Sequence, residues 1–214
     1  MTVDPSPGIA SIAIHAKFGA SEASYLKESR IFREGEPAHH IYQVIRGAVR
    51  SYRVRSCGRR QILAFHLPDD IFGLEFGPNY RFTTDAVVDT TVRLVKRHSL
   101  EYVAKTDLRV TSDLRSRLAK ELTEAEAHLL SLGQRTALER VVAFLLEMDK
   151  RMAPTGTIGL PMSRRDIGDY LGLQLETVSR ALSDLRDQGV LRFSETSRRQ
   201  IVLQNRERLL ELSI

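Results

Sequence analysis

Residues 163–189, SRRDIGDYLGLQLETVSRALSDLRDQG, constrain the fold of this 214-residue chain more tightly than any other stretch. Ser163 with Asp166 three positions on predicts a helix start, because the hydroxyl can accept a first-turn amide and the dipole favours a carboxylate there. Gly172 predicts the end of that helix roughly eight residues later, since glycine takes the left-handed C-terminal position without a Cβ penalty. A second helix is expected from Leu175 to Asp187, closing before Gly189. Helix, short glycine-containing turn and helix make a helix-turn-helix pattern. Ile167, Leu171, Leu173, Val178 and Leu182 are its expected core, and Gly168 allows the two helices to approach closely.

The second helix has two faces. Val178, Ala181, Leu182 and Leu185 point inward, whereas Glu176, Ser179, Arg180 and Ser183 share the opposite side at helical spacing. Those polar types suit base edges in a major groove: arginine donates two bonds to guanine, glutamate accepts from the cytosine amine, and serine adapts. Such a helix reads bases with its N-terminal turn, where Glu176, Ser179 and Arg180 lie. A merely solvated face is the ordinary alternative for any surface helix. The preceding helix and its spacing favour DNA.

The rest of the chain is consistent with a second domain. Residues 1–30 read as a loose lead-in with some helix. From Ile31 to Val95, short apolar runs (HIYQVIR, AVRSYRVR, RQILAFHL, AVVDTTVRLV) alternate with Gly35, Gly47, Gly58 and Gly73, which predicts an antiparallel roll or barrel. Cys57-Gly58 falls where a hairpin turn is expected. Leu114, Leu118, Leu122, Ala125, Leu129 and Leu132 then keep to one stripe of a long helix with charged flanks. That stripe is either a coiled-coil seam or a helix packed on its own domain, and spacing alone does not choose. A core helix is expected over Ala137–Lys150, and Met152–Met162 (MAPTGTIGLPM) reads as a linker. Beyond Gly189, VLRF and RQIVL predict a hairpin wing with Arg198 and Arg199 at its tip or second strand, in reach of phosphate or simply solvated. Asn205 is the expected cap of a short terminal helix.

The formal charge of +5 suits a polyanionic partner but is not segregated: residues 135–214 hold 13 basic and 11 acidic side chains, and residues 1–134 hold 19 and 16. One cysteine, Cys57, excludes an internal disulfide and fits a reducing compartment. The N-terminal residues lack a signal-peptide pattern, and the longest apolar run, around Val141–Met148, is too short to span a bilayer. A soluble cytoplasmic protein is therefore expected. G-x-S-x-G, phosphate-loop and H-E-x-x-H motifs are absent, so the reading is not an enzyme. The distant enzymatic alternative is a cupin-like metal barrel. It needs converging ligands, and His66 is the sole histidine of the middle strands.

MSRRDIGDYLGLQLETVSRALSDL, with E-x-x-S-R at Glu176, Ser179 and Arg180, resembles the recognition segment of the Fnr branch of the Crp/Fnr superfamily. GEPAHHIYQVIRGAVRSY resembles the first half of that superfamily's β-roll, and LGQRTALERVVAFLLEMDKRM resembles its FixK-type subgroup. The resemblance spans nearly the whole chain. It implies an α+β protein: an antiparallel β-roll like a cyclic-nucleotide-binding domain (1–110), a dimerisation helix (111–134) and a winged helix-turn-helix (135–214). The leucine stripe would then be the seam of a homodimer. The implied function is transcription regulation, mainly activation, at a palindrome resembling TTGAT-N4-ATCAA, with RNA polymerase as a partner and Gly77 to Thr84 as an activating surface by analogy. Arg180 would read guanine, Glu176 the opposing strand, and Ser179 an adjacent thymine. Leu175 would touch a thymine methyl or join the core. Ser183, Ser163, Arg164, Arg165, Thr177, Arg198 and Arg199 would meet the DNA backbone, and bending of the duplex is expected.

Departures from relatives decide the effector question. Iron–sulfur members use four cysteines and this chain has one. Cyclic-AMP-binding members follow an F-G-E segment with an Arg-Ser pair. Here Phe72-Gly73-Leu74-Glu75 is followed by Thr83-Thr84-Asp85-Ala86, so an acid stands near the anion position and Arg81 is displaced. Haem is known in the superfamily, yet His39 and His40 in a strand read as surface or core. The FixK-type resemblance implies no bound effector, control through synthesis, and a place in low-oxygen and nitrogen-fixation circuits, so no cofactor is expected. An effector-gated regulator with a small ligand in the roll is the alternative. Cys57 reads as a passive exposed turn thiol, oxidation being the other reading.

Overall fold

The computed structural model describes residues 20–75, 77–152, 156–194 and 199–213. These divide into two units. One runs to Arg53 and resumes at Ala64–Glu126; the other takes Val54–Leu63 and the chain from Ala127 onward.

The N-terminal half of the chain forms two four-stranded antiparallel sheets. The strands are β1 (Ser21–Tyr25), β2 (Arg30–Phe32), β3 (His40–Arg46), β4 (Val49–Val54), β5 (Arg60–His66), β6 (Ile71–Phe72), β7 (Thr83–Ala86) and β8 (Thr90–Lys96). One sheet has the order β1-β8-β3-β6 and the other β2-β7-β4-β5. Between them Phe32, Tyr42, Val44, Val49, Phe72, Tyr80 and Val92 form an apolar cluster, with the Phe32 and Tyr80 rings stacked 3.7 Å apart. The α+β β-roll expectation holds. The lead-in expected over 1–30 needs correction, because Ser21 pairs with Leu94 and Tyr25 with Thr90 in a regular ladder. Residues 1–19 lie outside the described ones.

Helices α1 (Arg97–Thr106) and α2 (Leu108–Gln134) follow. Their N-terminal ends pack back on the roll through Leu100 and Val110, which cluster with Ile41 and Ile71. Arg117 strengthens that seat by reaching Asp70 Oδ1 at 3.5 Å. The long helix thus begins six residues before Leu114, where sequence periodicity is hidden by this packing.

In the second unit, α3 (Ala137–Arg151) opens on a reciprocal capping box between Thr136 and Glu139. Three strands, β9 (Thr157–Gly159), β10 (Leu191–Phe193) and β11 (Gln200–Leu203), form a sheet ordered β10-β11-β9. The segment read as a linker therefore contains a strand: Ile158 faces Ile201 across the ladder and is fully buried. Helices α4 (Arg164–Leu171), α5 (Leu175–Asp187) and α6 (Arg206–Glu211) complete the unit. Val141, Phe144, Leu145 and Met148 of α3 are buried in its core, as are Ile167, Leu171, Val178, Leu182 and Leu185. Buried Asp149 on α3 is paired with Arg206 at 3.0 Å, which ties in the terminal helix that Asn205 caps.

Candidate nucleic-acid interface

Local chemistry sets the position of α4 and α5. Ser163 Oγ accepts from the Asp166 amide at 3.1 Å, and Asp166 Oδ2 accepts from the Ser163 amide at 3.0 Å and its hydroxyl at 2.6 Å. Gly172 ends α4 in the left-handed region at φ 66°. At Gly168 a Cβ would stand 2.7 Å from the Leu173 carbonyl oxygen, so the turn closes only over glycine. The Leu173 amide donates to the Gly168 carbonyl at 2.9 Å across that gap. The helix bounds and the core residues Ile167, Leu171, Val178 and Leu182 are those expected, while Leu173 is only half-buried.

On α5, Val178, Ala181, Leu182 and Leu185 are buried. Glu176 and Arg180 are exposed, and Ser179, Ser183 and Thr177 are half-buried beside them. Among the described residues, neither Glu176 nor Arg180 has an ion-pair partner. Leu175 is 37% exposed and joins this outer surface rather than the core. Gln174 precedes α5 without a side-chain cap bond, unlike Thr136 and Ser163 at the other helices. The first-turn amides of α5 are thus left to solvent or an anion.

The remaining sites differ in how committed their side chains are. Ser163 is engaged in its capping box, and Arg164 lies over the Phe193 ring at 5.3 Å. Arg165 is exposed. Arg199 donates to the Pro161 carbonyl at 3.5 Å, while Arg198 lies outside the described residues. Along α2, Leu114 packs against the Ile41 cluster and Leu132 lies against Gly172. Leu118 is half-buried, whereas Leu122 (61%), Leu129 (70%) and Ala125 are exposed. Leu130, which the stripe did not include, is exposed as well.

The roll interior holds a polar cluster that sequence reasoning saw only in part. Asp85 is buried, accepts from the Tyr52 hydroxyl at 2.9 Å, and has Arg30 at 3.5 Å and Arg50 at 3.7 Å. Arg50, itself buried, also binds Glu28 at 2.5 Å. Asp85 was identified from sequence, but its buried cation was not. Arg50 sits in AVRSYRVR, whose β4 is covered on both faces, so alternation did not mark it. Arg81 is engaged by Glu75 at 2.7 Å. His66 bonds Ser51 Oγ at 2.9 Å and stacks on Phe72, and His40 is half-buried near Tyr42. Among the described residues no group of three His, Cys, Asp or Glu side chains could hold a metal, and no helix is long and apolar enough to cross a membrane. Cys57 is exposed, and the backbone at Arg59 together with the charges of Arg55 and Arg59 lowers its thiol pKa.

Comparison with known proteins agrees with this geometry. The model of a Crp-like helix-turn-helix domain matches residues 139–212, and that of a cyclic nucleotide-binding domain matches residues 22–107. The nitrogen fixation regulation protein FixK of Azorhizobium caulinodans is 41% identical over 195 residues, covering 89% of this chain and 78% of the relative. FixK of Rhizobium meliloti is 37% identical over 79% of this chain and 77% of its own length. The solved structure of FixK2 from Bradyrhizobium japonicum superposes with a TM-score of 0.88 at 59% identity, covering 91% of this chain and 98% of that one. Relatives of this kind are transcription regulators rather than enzymes. On this fold, this helix pair and these relatives, the chain belongs to the FixK-type branch of the Crp/Fnr family of helix-turn-helix transcription regulators.

Proposed function

We propose that the chain is a sequence-specific regulator, mainly an activator, that binds a palindrome resembling TTGAT-N4-ATCAA as a homodimer. The observation that carries this reading is the outer face of α5, where Glu176 and Arg180 are exposed without ion-pair partners among the described residues while the opposite face is buried. Arg180 donates to guanine O6 and N7, Glu176 accepts from cytosine on the opposing strand, Ser179 meets a thymine, and Leu175 covers a thymine methyl. Ser183, Thr177, Ser163, Arg164, Arg165, Arg198 and Arg199 contact phosphates and fix the register. Two copies pair along α2 through Leu114, Leu118, Leu122, Ala125, Leu129 and Leu132, with the exposed central leucines as the strongest support. Their recognition helices then meet half-sites about 34 Å apart.

In this reading residues 1–110 form the roll, 111–134 the dimer helix and 135–214 the DNA-binding part. The protein works in the cytoplasm, recruits RNA polymerase through a surface that includes Gly77 to Thr84, and serves nitrogen-fixation and low-oxygen gene control, as the names of its relatives suggest for the former. It needs no bound effector. The buried Arg50–Asp85 contact supports that, since an anionic ligand would meet a carboxylate already beside the cation. Footprinting on a duplex carrying the palindrome tests the reading: protection of both half-sites is expected, and it is lost with Arg180→Ala. Titration calorimetry with cyclic AMP should show no heat of binding.

A further inference from the structure

The tip of the β4–β5 hairpin, Val54–Leu63, belongs to the second unit rather than to the strands that carry it. The tip is a tight turn, in which the Arg55 amide donates to the Arg59 carbonyl at 2.9 Å and the Gly58 amide to the Arg55 carbonyl at 2.8 Å. Just past the turn, Arg60 grips α4 with its guanidinium fork. Nε and Nη2 donate to Asp169 Oδ2 at 2.9 and 2.8 Å, and Nη2 also reaches Asp166 Oδ1 at 2.6 Å. Gln61 adds two bonds from its amide nitrogen, to the Asp169 carbonyl at 2.8 Å and the Tyr170 carbonyl at 3.2 Å.

Two features make this more than a surface ion pair. The Asp166 side chain is only 5% exposed, and its other oxygen closes the capping box, so Arg60 acts on the group that starts α4. Asp166 and Asp169 also lie one turn apart on the same side of the helix, where the two carboxylates repel unless a cation bridges them. Helix α4 has eight residues, too few to hold its own conformation in water. On other sides it is held by the His128 ring stacked 4.1 Å from Tyr170, and by Arg140, which donates to the Leu171 carbonyl at 3.2 Å. A short turn then leads into α5.

We propose that Arg60 is a positioning residue for DNA recognition: through Asp166 and Asp169 it fixes α4, and with it the angle at which α5 presents Glu176 and Arg180. This rests on the DNA-reading role proposed for α5. Arg60 itself need not touch DNA, because its fork is directed at carboxylates. Loss of the grip should therefore lower discrimination between the palindrome and a scrambled duplex without changing the salt slope of binding.

The only cysteine offers a direct reporter, since Cys57 is exposed three residues from Arg60. A spin label on Cys57 of the full-length protein reads hairpin mobility, and binding to palindromic and scrambled duplexes is measured on the same samples. In Arg60→Ala we expect a freed label, about tenfold weaker binding to the palindrome, and unchanged binding to the scrambled duplex. Arg60→Lys keeps the charge but not the fork and should fall between. An immobile label in Arg60→Ala, undiminished discrimination in it, or Arg60→Lys no better than Arg60→Ala would overturn the proposal. Failure of the parent reading has a different signature, namely that the unaltered protein, with its label held, does not distinguish the two duplexes.

Discussion

Arg50 and Arg180 do opposite things with the same side chain. Arg50 lies inside the roll at 4% side-chain exposure, shared between Glu28 and Asp85, and Asp85 in turn holds the Tyr52 hydroxyl. Arg180 projects from α5 beside Glu176, one turn away, and neither has an ion-pair partner among the described residues. A buried charge is stable only when its partners are folded in with it. An exposed charge costs little to leave open, and an open one can meet a partner from outside. The roll pairs these charges with one another, while α5 leaves its own exposed.

The largest test of this contrast lies in the roll. Asp85→Ala removes one carboxylate from beside buried Arg50 while Glu28 stays, and should destabilise the protein by about 3 kcal/mol, the lower end for a broken buried pair. Denaturant titration measures it, and an unchanged midpoint would mean that Asp85 does not hold Arg50 in the folded roll. Next in size is the exposed stripe of α2. Leu129→Ala should weaken dimerisation by about 1.5–3 kcal/mol, with little effect on the fold of one protomer. Sedimentation equilibrium separates the two, and a dimer of unchanged strength would place the seam elsewhere.

Ser183→Asp should have a smaller effect, about tenfold weaker DNA binding at physiological salt, because a carboxylate one turn beyond Ser179 would face phosphate. The difference should shrink as salt rises; equal affinities at all salt concentrations would move Ser183 away from the backbone. The smallest effect is a pH slope. Burial pushes the His128 imidazole pKa below its ordinary value, against a backbone hydrogen bond at Tyr170. With the folded-state pKa lowered, the unfolded chain takes up the proton first as the pH falls below about 6.5. Stability should then decline until the folded state also protonates, and His128→Gln should flatten that slope in thermal melts taken across the range.

What could be read from the chain alone follows the range of the interactions. Ser163, Asp166, Gly168 and Gly172 act on neighbours within a few residues, so α4, its turn and α5 were legible to the residue. Strand β1 was not, because Ser21–Tyr25 is a strand only through β8, some seventy positions on. The same holds for β9: Thr157–Gly159 sits among glycine and proline and reads as linker until β11 pairs with it. The grip of Arg60 on Asp166 is longer in range still, and no local pattern announces it. At the interface, residue types and helical phase gave the exposed face of α5. Ser163 was legible as a cap, and its hydroxyl is engaged there by Asp166.

In the function proposed above, α5 reads base pairs through Glu176 and Arg180. The most direct test is the affinity of the intact protein and of Arg180→Ala for the palindrome and for single-base variants at the guanine of each half-site. The unaltered protein is expected to lose about 1–3 kcal/mol per substituted guanine, while Arg180→Ala binds all the duplexes alike at the weaker level. Equal base preference in both proteins would contradict it.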